Sequence, residues 1–488
     1  MYVSIVTSGM RKLFGFFPVI AVFLFSQNVF PENNSDYYHR ILDSIPKEAF
    51  NNGKLGVVVK SLKTDELIFQ FNSDKLFVPA SNVKVLTSVA ALSILKPEYR
   101  FKTEFYSGGD ILKGVIQGGV YIKGYGDPTL GTEHLESIAQ EFKGLGIKEI
   151  KGGIIVDDSY FDNIRYGNGW KEKWKGDGYS PPIGALSLNY NRFYINVYPS
   201  KVGSIPKVVL EPRGTNVNII NRAVTTNKGS KLTAIWLEGG KTIKLNGSIS
   251  KKNPSYTIEV TTRSPALYTG SAFKGILENA GIRVQGNVTM GNLPDWAGVF
   301  YTHFSDPLYL IIAEFNKNSV NIIGENIIKT LGAKVINEPG TWEKGTRVVS
   351  NFLDKIGIEG NFEIFDGSGL SPLNKVSPHA MIEILQYAFT NRIIASDFIN
   401  SLSVAGIDGT LKRRFRRSEV EGRVKAKTGH LNNVSALSGY VFTKRGDVLA
   451  FSILANGLGF KATSFQNRLL AELIGCCESY NYIKDSSL

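Results

Sequence analysis

Pro79-Ala80-Ser81-Asn82-Val83-Lys84 opens a run, Ser81 to Lys96, whose apolar residues fall at 83, 86, 89, 90 and 94 and which Pro97 follows. That spacing predicts one apolar face of a helix, stopped by the proline. A serine three residues before a lysine on a helix sets hydroxyl and amine a turn apart on one face, where a neutral amine can take the hydroxyl proton. The pair is common by chance: Ser44/Lys47, Ser93/Lys96, Ser204/Lys207, Ser248/Lys251 and Ser271/Lys274 have the same spacing as Ser81/Lys84. Context separates them. Ser204 and Ser248 lie in strand-like stretches, Ser44 stands two residues before Pro46, and Ser93 sits where its helix closes. Ser271 is the nearest competitor, but Gly275 is expected to interrupt its helix. Ser81 opens the long apolar helix, so its N–H and the helix dipole can stabilise an oxyanion and help keep Lys84 deprotonated.

Outward from this helix, Gly56–Leu62 and Leu67–Phe71 flank four polar residues as a predicted hairpin, and Ser438–Phe442 with Val448–Leu454 form another. Between about 101 and 295 the texture is strands and glycine turns, as at Val208–Leu210, Val217–Ile220, Leu232–Leu237 and Tyr256–Val260. Helical periodicity returns from Pro307 to Leu331, and a last apolar helix is expected at Phe465–Ile474. Fifty glycines in 488 residues favour a β-rich chain of more than one folding unit. The layout predicted is a segment 36–100 and a segment 299–488 enclosing a β-rich insertion, 101–298.

Arg11 and Lys12 precede an apolar run, Leu13 to Phe25, followed by polar residues. This reads as a secretory signal over about residues 1–30, with Met1 or Met10 as the start. The run is shorter than the roughly 20 residues of a bilayer span, so a periplasmic or extracellular protein is expected, with peripheral membrane association left open. The net charge of +13 makes anionic polymers or membrane surfaces candidate partners. The one basic cluster, Lys412 to Arg417, holds a single aromatic, Phe415, which argues against nucleic acid. Cys476 and Cys477 are adjacent, so they cannot supply spaced zinc ligands, and a disulfide between them would be strained and is not expected. Five histidines show no metal-ligand spacing, so neither metal nor cofactor is expected. Gly239-Gly240-Lys241-Thr242 lacks the first glycine of a phosphate loop, Gly124-Tyr125-Gly126-Asp127 lacks the third of a dinucleotide loop, and no Gly-x-Ser-x-Gly elbow occurs.

Two further elements remain. Ser319-Val320-Asn321 can present serine and asparagine to a cleft, although Ser26/Asn28 and Ser187/Asn189 share the pattern. Lys427-Thr428-Gly429 occurs once; on a strand edge it offers a cation and a hydroxyl to a carboxylate, with glycine admitting substrate backbone.

Ser-x-x-Lys, Ser-x-Asn and Lys-Thr-Gly in this chain order resemble the signature of penicillin-binding proteins and serine β-lactamases. The long β-rich stretch between Ser81 and Ser319 resembles the class C low-molecular-mass penicillin-binding proteins, the D-alanyl-D-alanine carboxypeptidase/endopeptidases of peptidase family S13. Gly124-Tyr125-Gly126-Asp127-Pro128, Asp157-Asp158-Ser159-Tyr160-Phe161, Asp366-Gly367-Ser368-Gly369-Leu370-Ser371 and Ala405 to Leu411 carry the likeness further.

The resemblance implies an α/β fold, an antiparallel sheet flanked by helices, interrupted by β-rich insertions. It implies Ser81 as acylated nucleophile, Lys84 as general base, Ser319 as proton relay and Asn321 as a contact to the substrate amide. Lys427 and Thr428 would hold the terminal carboxylate, and the N–H groups of Ser81 and His430 would form the oxyanion hole. Asp157 stands where the family recognises a stem-peptide amine. The implied partners are peptidoglycan peptides, with β-lactams as covalent inhibitors. His430 departs from the usual Thr or Ser after Lys-Thr-Gly, and Pro372-Leu373 stand where many relatives carry an Arg. A non-catalytic wall-binding protein and a β-lactamase are the rival readings; the class A Glu-x-x-Leu-Asn pattern is absent.

Overall fold

The computed structural model describes residues 32–358 and 361–476. The apolar run expected to be a signal lies outside them, and no described helix is long and apolar enough to cross a membrane.

One six-stranded antiparallel sheet organises the two ends of the chain. Its strands are β1 (Leu55–Ser61), β2 (Leu67–Phe71), β3 (Ser403–Val404), β4 (Val424–Leu431), β5 (Val434–Phe442) and β6 (Val448–Asn456), in the spatial order β2-β1-β6-β5-β4-β3. Both expected hairpins are here. Strand alternation divides the side chains between two cores. Leu449, Phe451, Ile453 and Ala455 of β6 join Val57 and Val59 beneath helices α1 (Glu32–Ser44) and α7 (Phe460–Ile474). Ala450 and Leu454 point the other way, with Val58 and Tyr440, into a larger core. That core is covered by α2 (Val83–Leu95), α3 (Leu308–Lys317), α4 (Asn321–Val335), α5 (Trp342–Lys355) and α6 (Pro378–Thr390). The α/β class and the helix-flanked antiparallel sheet are as expected.

The intervening chain builds separate sheets. A five-stranded mixed sheet runs Val288–Met290, Ile154–Asp157, Val120–Gly124, Lys102–Ser107, Gly298–Phe304. A three-stranded antiparallel sheet pairs Arg192–Tyr198 with Lys207–Glu211 and Tyr256–Thr261, and Thr242–Ser250 centres a further four-stranded one. The Gly239–Gly240 segment is the turn leading into that last strand. Two helices, Thr132–Gly144 and Pro265–Asn279, also lie in this region. The second corrects the expectation that Gly275 breaks the helix. A Cβ there would stand 2.8 Å from Gly214 Cα, so the glycine serves close packing against a neighbouring loop.

Two further expectations are corrected. The helix read from Pro307 to Leu331 is two helices, α3 and α4, separated at Asn318–Val320, where Ser319 takes a left-handed φ of 57°. Apolar periodicity continues across the break, so pattern alone does not reveal it. Cys476 is disulfide-bonded, against expectation; the only other cysteine in the sequence, Cys477, lies outside the described residues. The basic loop after Leu411 is partly structural: Arg414 Nε donates to Asn467 at 2.8 Å, and Phe415 packs against the core under α7.

α4 and α5 approach through glycine. A Cβ on Gly345 of α5 would lie 1.9 Å from the Ile328 carbonyl of α4. Gly345→Ala is therefore expected to lower stability by about 1–3 kcal/mol, as overpacking does. Gly144→Ala, where a Cβ meets nothing within 4 Å, should be neutral or slightly stabilising. Thermal unfolding of the two variants checks this; equal melting temperatures would contradict the packing described.

Candidate active site

Ala80–Asn82 form a 3-10 turn leading directly into α2, with Ala80 itself at a left-handed φ of 48°. This turn lies against β4. Asn82 Nδ2 donates to the Lys427 carbonyl at 3.1 Å, and a Cβ on Gly429 would stand 2.6 Å from Pro79 O and 2.9 Å from Asn82 Nδ2. The glycine expected to make room for substrate thus makes room for the turn that carries Ser81.

Lys84, one turn along, is fully buried. Its Nζ lies 2.7 Å from Asn321 Oδ1, 2.7 Å from the Ser368 carbonyl and 3.1 Å from Ser81 Oγ. A neutral amine has two hydrogens and one lone pair. The two shorter contacts, both to pure acceptors, take the hydrogens and leave the lone pair facing the Ser81 hydroxyl. Burial lowers the Lys84 pKa to about 7, against an opposing pull from Glu325 and Asp366. Of the six Ser-x-x-Lys pairs, only this one has hydroxyl and amine hydrogen-bonded to each other among the described residues. Lys274 instead donates to the Gly286 carbonyl at 2.7 Å, and Lys96 to Ser93 O at 2.9 Å.

The break between α3 and α4 sets the second element. Asn321 is the first residue of α4, and Ser319, two residues before it, receives a hydrogen bond from Lys427 Nζ at 3.1 Å. Lys427 also donates to Thr428 O at 2.9 Å and is fully buried, so its pKa falls well below the usual lysine value, first through desolvation and then through the charge of Lys84. Thr428 Oγ1 bonds Thr410 Oγ1 at 2.8 Å. The insertion reaches the site as well: Asn321 Nδ2 donates to the Tyr179 carbonyl at 2.8 Å. Beyond Ala426, β4 has no strand beside it on its outer edge among the described residues, because β3 pairs only with Lys425 and Ala426. The Ser81 N–H donates no hydrogen bond among the described residues.

The structure therefore brings together Ser81, Lys84, Ser319, Asn321, Lys427 and Thr428, with Gly429 beneath the turn. His430, next on β4, is exposed. Pro372 and Leu373 lie beside the insertion, where a Cβ on Gly169 would meet Leu373 at 2.9 Å. Asp157 ends the inserted strand Ile154–Asp157. It is buried in the inserted sheet, accepts the Ser159 and Leu293 N–H groups at 2.8 and 2.7 Å, and has Lys123 Nζ 4.0 Å away. None of these contacts joins it to the serine–lysine group.

Sequence reasoning assigned no role to the support behind Lys84. Asp366 accepts the N–H groups of Gly369 and Ser371 at 2.8 and 2.6 Å, the Trp170 indole at 2.9 Å and the Asn374 amide at 2.9 Å. This fixes the loop whose Ser368 carbonyl meets Lys84. Glu325, one turn after Asn321 on α4, stands on the other side of that loop. The four-residue spacing from Asn321 was the available signal.

The family model of the D-Ala-D-Ala carboxypeptidase 3 (S13) family matches residues 39–473. A D-alanyl-D-alanine carboxypeptidase of Actinomadura sp. is 34% identical over 420 residues, covering 82% of this chain and 77% of that one. The crystal structure of penicillin binding protein 4 from Haemophilus influenzae superposes with a TM-score of 0.77 at 26% identity, covering 91% of this chain and 100% of the other. The same protein complexed with a β-lactam gives 0.73 at 25% identity over the same shares. The match runs from within the first helix into the last, across both halves of the site, and the chain belongs to the D-Ala-D-Ala carboxypeptidase 3 (S13) family of peptidases.

Proposed function

We propose that this chain hydrolyses D-Ala-D-Ala and related peptide bonds of peptidoglycan through an acyl-enzyme on Ser81. The observation that carries the reading is the fully buried Lys84 amine, whose Nζ lies 2.7 Å from two pure acceptors and 3.1 Å from the serine hydroxyl oxygen. Ser81 Oγ attacks the scissile carbonyl carbon as its proton passes to Lys84 Nζ. The resulting oxyanion is stabilised by the free Ser81 N–H at the start of α2 and by the His430 N–H. Collapse breaks the C–N bond, and the departing amine takes, through Ser319, which Lys427 holds, the proton that Lys84 accepted, so that Lys84 is neutral again. Water then attacks the ester carbonyl as it gives a proton to Lys84; the C–Oγ bond breaks, and Ser81 Oγ takes that proton back as the acid is released.

Lys427 and Thr428 take the substrate's terminal carboxylate, which supplies the counter-charge that the buried Lys427 lacks. The open edge of β4 is suited to an extended peptide. An amine contact from Asp157 would require the substrate to share that carboxylate with Lys123. Peptidoglycan lies outside the cytoplasm, which agrees with the charged and apolar opening of the chain.

Incubation with a β-lactam followed by intact-protein mass spectrometry should give a long-lived adduct, lost in Ser81→Ala and retained in Ser271→Ala. No added mass on folded protein would favour a non-catalytic wall-binding protein, and an adduct that vanishes within seconds a β-lactamase.

The acylation rate should also follow the free-base fraction of Lys84. With its pKa about 7, the rate should level off above that pH and fall below it. A limb near pH 10 would refute Lys84 as base. Amidating the terminal carboxylate of a D-Ala-D-Ala peptide should reduce kcat/KM by roughly 10- to 100-fold, the loss of a charge-assisted hydrogen bond. Equal rates on acid and amide would remove Lys427 and Thr428 from substrate binding.

A further inference from the structure

Glu325 is a fully buried carboxyl group inside the larger core, and the acylation steps above do not use it. Its Oε2 accepts the Trp342 indole N–H at 2.7 Å and the Gly367 N–H at 3.1 Å. Its Oε1 has no hydrogen-bond partner, and neither has the buried Ser368 hydroxyl, although that hydroxyl lies close enough to favour the carboxylate form. The Gly367–Ser368 segment faces the nucleophile's helix on its other side. The Gly367 carbonyl accepts from Thr87 Oγ1 at 2.8 Å, and the Ser368 carbonyl accepts from Lys84 Nζ at 2.7 Å. Close packing fixes the segment, since a Cβ on Gly367 would lie 2.1 Å from the Gly324 carbonyl. One short loop is thus held by an acid on one side and binds the amine on the other.

We propose that Glu325 is a positioning residue for acylation: it holds the Gly367–Ser368 segment against Lys84, and its charge controls how readily that amine gives up its proton. The assignment rests on the serine–lysine reading above. The groups facing this carboxyl are few. Lys84 lies on α2, Asp366 on the loop, the non-titrating Trp342 on α5, and Lys329 one turn along α4, where it pairs with Asp162 at 2.5 Å. Burial, followed by the charge of Asp366, raises the Glu325 pKa to about 7, the same range to which Lys84 is lowered.

Two groups that titrate together across a low-dielectric gap share their protons as a pair. A Glu325 anion favours the Lys84 ammonium, the form unable to accept the serine proton. A neutral Glu325 favours the free amine. The free base of Lys84 therefore forms in two overlapping ionisations, and removing the carboxylate can only move it to lower pH.

The test uses the full chain and the rate of acylation by a β-lactam between pH 4.5 and pH 9. Glu325→Gln keeps an oxygen for Trp342 and Gly367 but cannot ionise. Its acid limb is expected to move down by roughly one pH unit and to narrow to a single ionisation, with the high-pH plateau within a few-fold of wild type. Glu325→Leu, which also drops both hydrogen bonds, should lose at least about tenfold of that plateau, since the loop it holds is freed. A merely structural acid would lower the plateau and leave the limb in place. An unmoved limb in a folded Glu325→Gln protein, or one moved upward, would overturn the assignment. Should Glu325→Gln not fold, the wild-type limb alone decides: two overlapping ionisations support the coupling and a single one overturns it. No adduct on wild type at any pH would refute the serine–lysine chemistry itself, and this assignment with it.

Discussion

A fully buried lysine amine with no carboxylate at ion-pair distance among the described residues is the constraint on which the rest of this molecule depends. Burial of a charge without a partner is costly, and a protein relieves that cost by neutralising the group. Under the proposed mechanism this relief is what makes the amine a base. Lys84 is fully buried, with Asn321 Oδ1 and the Ser368 carbonyl 2.7 Å from its nitrogen and Ser81 Oγ 3.1 Å away. The same spacing at Ser93 and Lys96 gives no such arrangement, since Lys96 is exposed and its Nζ donates to the Ser93 carbonyl.

That burial requires convergence from distant parts of the chain. α2 supplies serine and lysine, the break before α4 supplies Ser319 and Asn321, and the edge strand β4 supplies Lys427, while the 366–369 loop closes the back. Backbone conformations that side chains rarely adopt occur at two joints, Ala80 and Ser319. Left-handed non-glycine residues of this kind persist where the surroundings hold them in place. Glycines do the complementary work. Gly429 admits the turn that carries Ser81, and Gly369, at φ 82° with a would-be Cβ 1.9 Å from the Ala80 carbonyl, lets the rear loop touch that same turn. The large insertion also takes part in the site, since the Tyr179 carbonyl orients the Asn321 amide.

Much of this was legible in the sequence because the chemistry demands residue types in a fixed order. Ser81, Lys84, Ser319, Asn321 and Lys427 carry motifs whose members must meet, and the hairpins β1–β2 and β5–β6 follow from alternation around polar turns. What was hidden has physical reasons. Hydrophobic periodicity reports burial and is blind to one left-handed residue, so the break at Ser319 inside Pro307–Leu331 did not show. The helix Pro265–Asn279 was obscured by Gly275, whose role is a close contact rather than a break. Glu325 and Asp366 look like ordinary charged residues until the fold wraps indoles and backbone amides around them. The surroundings of Asp157 were equally hidden: its motif position did not announce the two backbone N–H groups that hold its carboxylate or the Lys123 amine that faces it.

The most direct test of the central claim is the protonation of Lys84 itself. In protein labelled with carbon-13 and nitrogen-15 at lysine, the Lys84 side-chain resonances can be assigned by their loss in Lys84→Arg and followed through a pH titration. The account predicts a midpoint of about 7, with a substantial fraction of the amine free at neutral pH. A midpoint near the ordinary lysine value of 10.5 would mean that Lys84 is an ammonium under working conditions and cannot be the base that activates Ser81.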